Sequence, residues 1–68
     1  KLTGFLSTNN KQYALVNYKD KSGYLTSNSQ GGINTDLLPE GAKVKEINIK
    51  NNTVIVVFDD QSYEIFLD

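Results

Sequence analysis

The C-terminal half of the chain, residues 37–68, reads LLPEGAKVKEINIKNNTVIVVFDDQSYEIFLD and decides the fold class. A Pro-Glu-Gly turn leads into three runs rich in Val, Ile, Tyr and Phe, with Asn and Asp pairs between the runs. β-branched and aromatic residues that alternate with polar ones predict strands, and paired Asn or Asp residues predict the turns that join them. We therefore expect this half to form a three-stranded antiparallel meander.

The register of this meander follows if two residues form the tip of each turn, Asn51-Asn52 in the first and Asp60-Gln61 in the second. The predicted cross-strand pairs are then Ile49–Val54, Ile47–Val56, Phe58–Tyr63, Val56–Ile65 and Val54–Leu67. One face collects the apolar residues Ile47, Ile49, Val54, Val56, Phe58, Tyr63, Ile65 and Leu67. The opposite face carries Glu46, Asn48, Ile55, Val57, Glu64 and Phe66. A slip by one residue would scatter the apolar face, so we expect that face to form part of the core.

Similar but less regular runs occur in the N-terminal half, with predicted connections at 8–11 and 19–22. The six predicted strands are Leu2–Ser7, Gln12–Tyr18, Gly23–Ser27, Lys43–Lys50, Thr53–Asp59 and Ser62–Leu67. In the first sheet one face would carry Thr3, Phe5, Ala14, Val16 and Leu25. The other face would carry Leu2, Leu6, Tyr13, Leu15 and Tyr24. An isolated three-stranded sheet is marginally stable, so we expect an all-β domain over 1–68, a small sandwich or half-open barrel of two three-stranded antiparallel sheets.

The composition argues against several classes of function. The 68 residues contain no Cys, His or Arg, and the net charge is −1. The common nucleophilic triads and zinc sites need His or Cys, so we expect neither an enzyme nor a metal or cofactor site. Asp59-Asp60 and Glu64 could serve as acid and base or as calcium ligands, but Asp at a hairpin tip is typical of a turn. A chain without a basic surface is also not expected to bind nucleic acid.

Three further features bear on the context of the chain. It contains no Met, so we expect it to be a piece excised from a larger protein. Its longest apolar run, Val54 to Phe58, is far shorter than the ~20 residues that cross a bilayer, so any anchor is expected outside this chain. Asn51-Asn52-Thr53 matches the N-glycosylation pattern, but we interpret it as a turn.

The connection SNSQGGINTDLLPEG, residues 27–41, contains Gly31-Gly32. A phosphate-binding loop should open a helix and carry a Lys, whereas the next Lys here is Lys43 in a predicted strand. We therefore interpret this segment as a flexible connection, with Ile33, Leu37 and Leu38 partly docked on the core. The tyrosines and the stripe of Ile55 and Phe66 indicate either a partner surface or a region under this loop.

The order of motifs resembles a known family. The matching residues are LTGFL at 2–6, YALV at 13–16, LPEGAKVKEI at 38–47, VIV at 54–56 and SYEIFL at 62–67. This pattern is similar to the periplasmic homology region of the inner-membrane protein C of type II secretion systems. It also resembles the related pilus assembly lipoprotein P of type IV pili.

The resemblance implies a non-enzymatic adaptor domain in the periplasm, in a parent protein that crosses the inner membrane once. It implies two packed three-stranded sheets and a contact with the N-terminal periplasmic domain of the outer-membrane secretin, alongside other secretion-machine subunits. Family contacts to the secretin involve the first strand, and residues of the neighbouring segment Val16–Tyr18 are included beside it. The partner-binding residues carried over are Lys1, Leu2, Thr3, Gly4, Phe5, Val16 and Tyr18.

The residues alone leave a different class of function open. The chain could be an SH3-like or β-barrel interaction module of a phage, surface or regulatory protein that binds a peptide or polysaccharide. Tyr13, Tyr18 and Tyr24 would then line a groove, and burial of all three would argue against this alternative. Under either hypothesis the first strand, Lys1–Ser7, is an edge that could accept an extra strand.

Overall fold

The computed structural model describes residues 1–67, and its regular structure is entirely β. The strands are β1 Leu2–Ser7, β2 Gln12–Tyr18, β3 Lys21–Leu25, β4 Lys43–Asn48, β5 Thr53–Phe58 and β6 Gln61–Phe66. They form two three-stranded antiparallel sheets with the orders β1-β2-β3 and β4-β5-β6. The predicted fold class is therefore confirmed. Among the described residues, no helix is long and apolar enough to cross a membrane.

The hairpin between β2 and β3 is tighter than predicted. Tyr18 pairs with Lys21, so only Lys19 and Asp20 form the turn, and both have positive φ angles of 50° and 66°. These angles define a type I′ turn, whose twist matches that of the flanking strands. The predicted four-residue connection is therefore wrong, and β3 begins and ends two residues earlier than predicted.

The predicted register of the second sheet is wrong by two residues in both hairpins. Ile47 pairs with Val54, Val54 with Ile65, and Val56 with Tyr63. The first turn contains four residues, 49–52, closed by the Asn52 N–H donating to Ile49 O at 3.1 Å. Because side chains alternate with a period of two, this shift changes every cross-strand partner and leaves every residue on its predicted face.

The second turn of this sheet consists of Asp59 and Asp60 rather than Asp60 and Gln61. Both aspartates have positive φ angles, 55° and 64°, and Phe58 pairs with Gln61. A type I′ turn needs positive φ at both central residues, and Asp tolerates that conformation better than Gln does. The ends of β4, β5 and β6 therefore differ by one or two residues from the predicted ends.

A β-bulge in each sheet decides which residues reach the core. The register shifts between Leu2 and Gly4 in β1, and between Val44 and Glu46 in β4. A bulge inserts one extra residue into a strand. Side chains on the two sides of the bulge therefore face the same way when they are three positions apart, rather than two. The prediction that Leu2 shares a face with Leu6, Tyr13, Leu15 and Tyr24 is therefore wrong, because Leu2 is 1% exposed and belongs to the core with Ala14, Val16 and Leu25. Thr3, predicted on the same face as Ala14, Val16 and Leu25, is exposed instead.

The core lies between the two sheets and is completed by the long connection. Its buried residues are Leu2, Ala14, Val16, Leu25, Leu37, Leu38, Ala42, Val44, Ile47, Val54 and Val56, with Phe5, Ile49 and Ile65 packed against them. The predicted docking of Leu37 and Leu38 is confirmed, whereas Ile33 is 78% exposed.

The same connection also pairs with an edge of the second sheet. Gln30 forms an antiparallel bridge with Lys43, supported by hydrogen bonds from Gly31 N to Ala42 O and from Val44 N to Ser29 O. At another corner Leu2 forms a parallel bridge with Leu67, which joins the two sheets. The Leu2–Leu67 bridge therefore closes one corner of the sandwich.

Candidate functional site

The carboxylates that sequence analysis considered for chemistry lie on the surface. Asp59 and Asp60 form the tip of the β5–β6 turn, and Glu64 lies on the outer face of β6; all three are exposed. Within residues 1–67 no group of three or more acidic side chains is placed to hold a metal ion. The positive φ angles of the two aspartates show that these residues shape the turn.

One ion pair ties the long connection to β3. Lys21 Nζ donates a hydrogen bond to Asp36 Oδ2 at 2.6 Å, and both side chains are largely exposed. This hydrogen bond, together with the charge of the ammonium group, lowers the pKa of the Asp36 carboxyl below its ordinary value of 3.8. An exposed pair of this kind helps to position the loop but contributes little to stability.

The structure divides the predicted partner-binding residues into two groups, and the first lies along the β1 edge. Thr3, Gly4 and Phe5 belong to this group. Thr3 is exposed, and its Oγ1 donates to Leu15 O at 3.1 Å across the bulge. Gly4 and Phe5 are half-buried. β1 pairs with β2 along one side only, so its other side is a sheet edge.

The start of the chain is already held in the fold. The Lys1 amino group donates to Asn17 O and the Asn17 N–H donates to Lys1 O, both at 2.8 Å. Leu2 is buried and bridged to Leu67. The part of the β1 edge that can accept a partner strand is therefore Gly4–Ser7.

The second group of predicted residues, which comprises Lys1, Leu2, Val16 and Tyr18, lines an apolar groove of about 270 Å³ between the sheets. The opposite wall of this groove carries Phe58, Tyr63 and Ile65, and residues 37–39 of the long connection also line it. Lys19 Nζ lies 5.4 Å from the centre of the Tyr18 ring, a cation–π contact beside the groove. We refer to this feature as the apolar groove.

The alternation of residues along the strands placed Phe58 and Tyr63 on the apolar face of the second sheet but did not predict that their side chains are accessible. Both residues point toward the core side of the second sheet, yet they are 37% and 47% exposed. The reason is that the first sheet does not cover this corner of the second one. No sequence signal reports this, because strand periodicity identifies a face but not how far the opposing sheet extends over it.

The tyrosines do not share one groove. Tyr13 and Tyr24 lie on the outer face of the first sheet, with their rings 5.1 Å apart in a T-shaped contact. Leu6 and Leu15, their cross-strand neighbours, are also exposed on this face. Tyr18 instead lines the apolar groove, so these three tyrosines are divided between two separate surfaces.

Comparisons of this chain with protein-family models, with curated proteins and with solved structures gave no match. The features that bear on its function are therefore the order of motifs, the fold, the free strand edges and the surfaces described above.

Proposed function

We propose that this chain is a non-enzymatic adaptor domain of a bacterial type II secretion or type IV pilus machine. In this proposal it stands in the periplasm, in a parent protein anchored in the inner membrane. There it binds the N-terminal periplasmic domain of the outer-membrane secretin and so links the inner- and outer-membrane complexes. Two observations support the proposal: the order of motifs along the chain, and a fold of two packed three-stranded sheets, as the resemblance implies.

The observation that carries the proposal is the edge of β1. The Thr8 N–H donates to Lys11 O at 2.8 Å, into the ladder with β2. Because alternate residues of an antiparallel edge strand point their main-chain groups inward and outward, the Ser7 and Phe5 groups point to the open side. A secretin strand could pair there by β-augmentation. An interface formed by one edge strand of a small domain is expected to be weak and transient, which suits an assembly that rearranges.

The test is an NMR titration of the ¹⁵N-labelled domain with the N-terminal fragment of the secretin encoded in the same genome. We expect shifts of the amides of Gly4–Ser7 at fragment concentrations up to the millimolar range. Ser7→Pro removes an outward N–H and should abolish these shifts while the fold is kept, since Pro is tolerated on an edge. Glu64→Lys, on the opposite sheet, is the matched control and should bind normally.

Two results would contradict the adaptor proposal. One is the absence of any shift at millimolar secretin fragment. The other is binding that Ser7→Pro leaves unchanged, because the contact would then lie elsewhere on the domain.

A second candidate function is a peptide- or polysaccharide-binding module of a phage, surface or regulatory protein. The observation that favours it is the exposed outer face formed by Leu6, Tyr13, Leu15 and Tyr24. Tyr24 is 59% exposed there, and Tyr is enriched at interfaces. In the same titration, shifts centred on Tyr24 rather than on β1 would favour this module.

A further inference from the structure

β6 lacks the features that protect the other strand edges of the domain. The Leu2–Leu67 bridge lies at the start of β1 and just past the end of β6, so it leaves residues 61–65 of β6 uncovered. β1 carries a bulge, and β4 carries a bulge and is covered by the bridge from Gln30. β3 begins with Lys21 and contains Gly23 at its centre. Proteins commonly blunt sheet edges with bulges, covering loops or Lys. β6 is regular along its whole register and contains neither Lys nor Pro.

The main-chain groups of β6 alternate between the sheet and its open side. The pair Phe58–Gln61 closes a two-residue turn, so Gln61, Tyr63 and Ile65 exchange hydrogen bonds with β5. The N–H and C=O groups of Ser62 and Glu64 therefore point away from β5. Groups spaced in this way match the main chain of another extended peptide segment.

The apolar groove lies next to this edge. Tyr63 and Ile65 of β6 line the groove, facing Leu2 and Val16 of the first sheet. A strand that paired with β6 would continue the second sheet, and alternate side chains of that strand would point to the groove side. The added strand therefore needs apolar residues at every second position.

The charge around β6 indicates which residues the added strand would carry at the positions that point away from the groove. From Asn51 to Leu67 the chain has no basic residue and three acidic ones, Asp59, Asp60 and Glu64. Glu64 lies on the outer face, opposite to the face of Tyr63 and the groove. Basic residues at the intervening positions of an added strand would lie beside these carboxylates, away from Lys1 at the groove. A second copy of this edge would instead place acidic hairpins side by side, which is unfavourable.

We propose that the β6 edge is a second docking site, which accepts an extended segment of a partner protein in which apolar residues alternate with Lys or Arg. This site is separate from the β1 edge of the proposed secretin contact. Main-chain hydrogen bonds to Ser62 and Glu64 give the pairing, the apolar groove selects the inward side chains, and the carboxylates select the outward ones.

The test uses a capped peptide of alternating Val and Lys that matches the six residues of β6 in length. When this peptide is titrated into the ¹⁵N-labelled domain, the amide signals of Ser62, Glu64 and the groove residues should shift. The amide signals of Gly4–Ser7 should not change. A peptide of the same sequence with N-methyl groups on alternate residues cannot form the edge hydrogen bonds and should not bind. A peptide with Glu in place of Lys should bind at least tenfold more weakly.

Two protein variants complete the experiment. Glu64→Lys reverses the charge at an exposed position without changing the core and should weaken the Val-Lys peptide about tenfold, roughly 1.4 kcal/mol. Ser7→Pro changes only the β1 edge and should bind this peptide normally, which separates the result from that of the secretin titration.

Three outcomes would overturn the proposal. The first is no shift at millimolar peptide, and the second is binding that the N-methylated peptide reproduces. The third is dimerisation of the free protein through β6, seen as a doubled mass in sedimentation and loss of the Ser62 and Glu64 amide signals, since a second copy would then occupy the edge.

Discussion

At the scale of single residues, Gly31 shows how a position that looks flexible in the sequence becomes a fixed packing point. Its N–H donates to Ala42 O at 2.7 Å, and its O accepts from the Gly41 N–H at 3.2 Å. A Cβ atom at this position would lie 2.0 Å from Pro39 O, a main-chain atom that cannot move aside. Glycine is therefore required here by the close approach of two backbone segments.

Gly31→Ala should lower the free energy of unfolding by about 2 kcal/mol or more, because the backbone must separate to admit the methyl group. Urea denaturation of the purified domain measures the change. Gly4→Ala is the control, since a Cβ there would make only an ordinary contact of 3.5 Å with Leu15 Cδ1. It should change the stability by no more than about 0.5 kcal/mol. Equal losses in both variants would show that the Gly31 contact is not special.

At the scale of elements, the strands were largely predictable and the turns were not. Runs of β-branched and aromatic residues gave strand positions to within about two residues, as hydrophobic periodicity can. The turn type depends on which residues adopt positive φ, and Lys19 and Asp59 both do so although neither is glycine. The first turn has four residues rather than two, and the second is Asp59-Asp60 rather than Asp60-Gln61, so the register was wrong by two residues in both hairpins.

Asp60→Gly should therefore stabilise the protein, by about 0.5–1 kcal/mol. Asp60 has a φ of 64°, which costs energy for a residue with a Cβ and none for glycine. Thermal unfolding followed by circular dichroism would show the change as a higher Tm. The control is Asn10→Gly in the β1–β2 loop, where φ is not positive and glycine only adds freedom to the unfolded chain. If Asp60→Gly lowered the Tm as Asn10→Gly should, the type I′ turn would be wrong.

At the scale of the whole molecule, the two sheets depend on one shared core. Ala14 and Leu25 of the first sheet and Val54 of the second are each no more than 1% exposed. A core of this size in a 68-residue domain supplies only about 3–5 kcal/mol of net stability. Neither three-stranded sheet is expected to be stable without the other.

Val54→Ala should remove about 2 kcal/mol of this stability, from lost burial and the cavity that remains. Hydrogen exchange should show the same loss of protection in β2 and in β5, because the core amides of both sheets exchange only by global unfolding. Ile33→Ala, at a position 78% exposed, should leave exchange unchanged. A loss confined to the second sheet would show that the sheets unfold independently.

The candidate sites, like the fold, could be predicted from the sequence only in part. The sequence identified β1 as an edge strand, and residue chemistry pointed away from catalysis. It did not identify the apolar groove, because Phe58 and Tyr63 follow the same inward pattern as buried residues. Nor could it show that β6 is the less protected edge, since this depends on the bulges in β1 and β4 and on the bridge made by Gln30.

The sequence by itself determined the fold class, the approximate strands and the faces of the second sheet. These properties follow from the alternation of side chains along each strand, which a register shift of two residues does not change. Only the tertiary structure decided the cross-strand partners, the burial of Leu2 and the open corner that forms the apolar groove. These depend on turn dihedrals, on single-residue bulges and on how far one sheet covers the other, which local patterns do not encode.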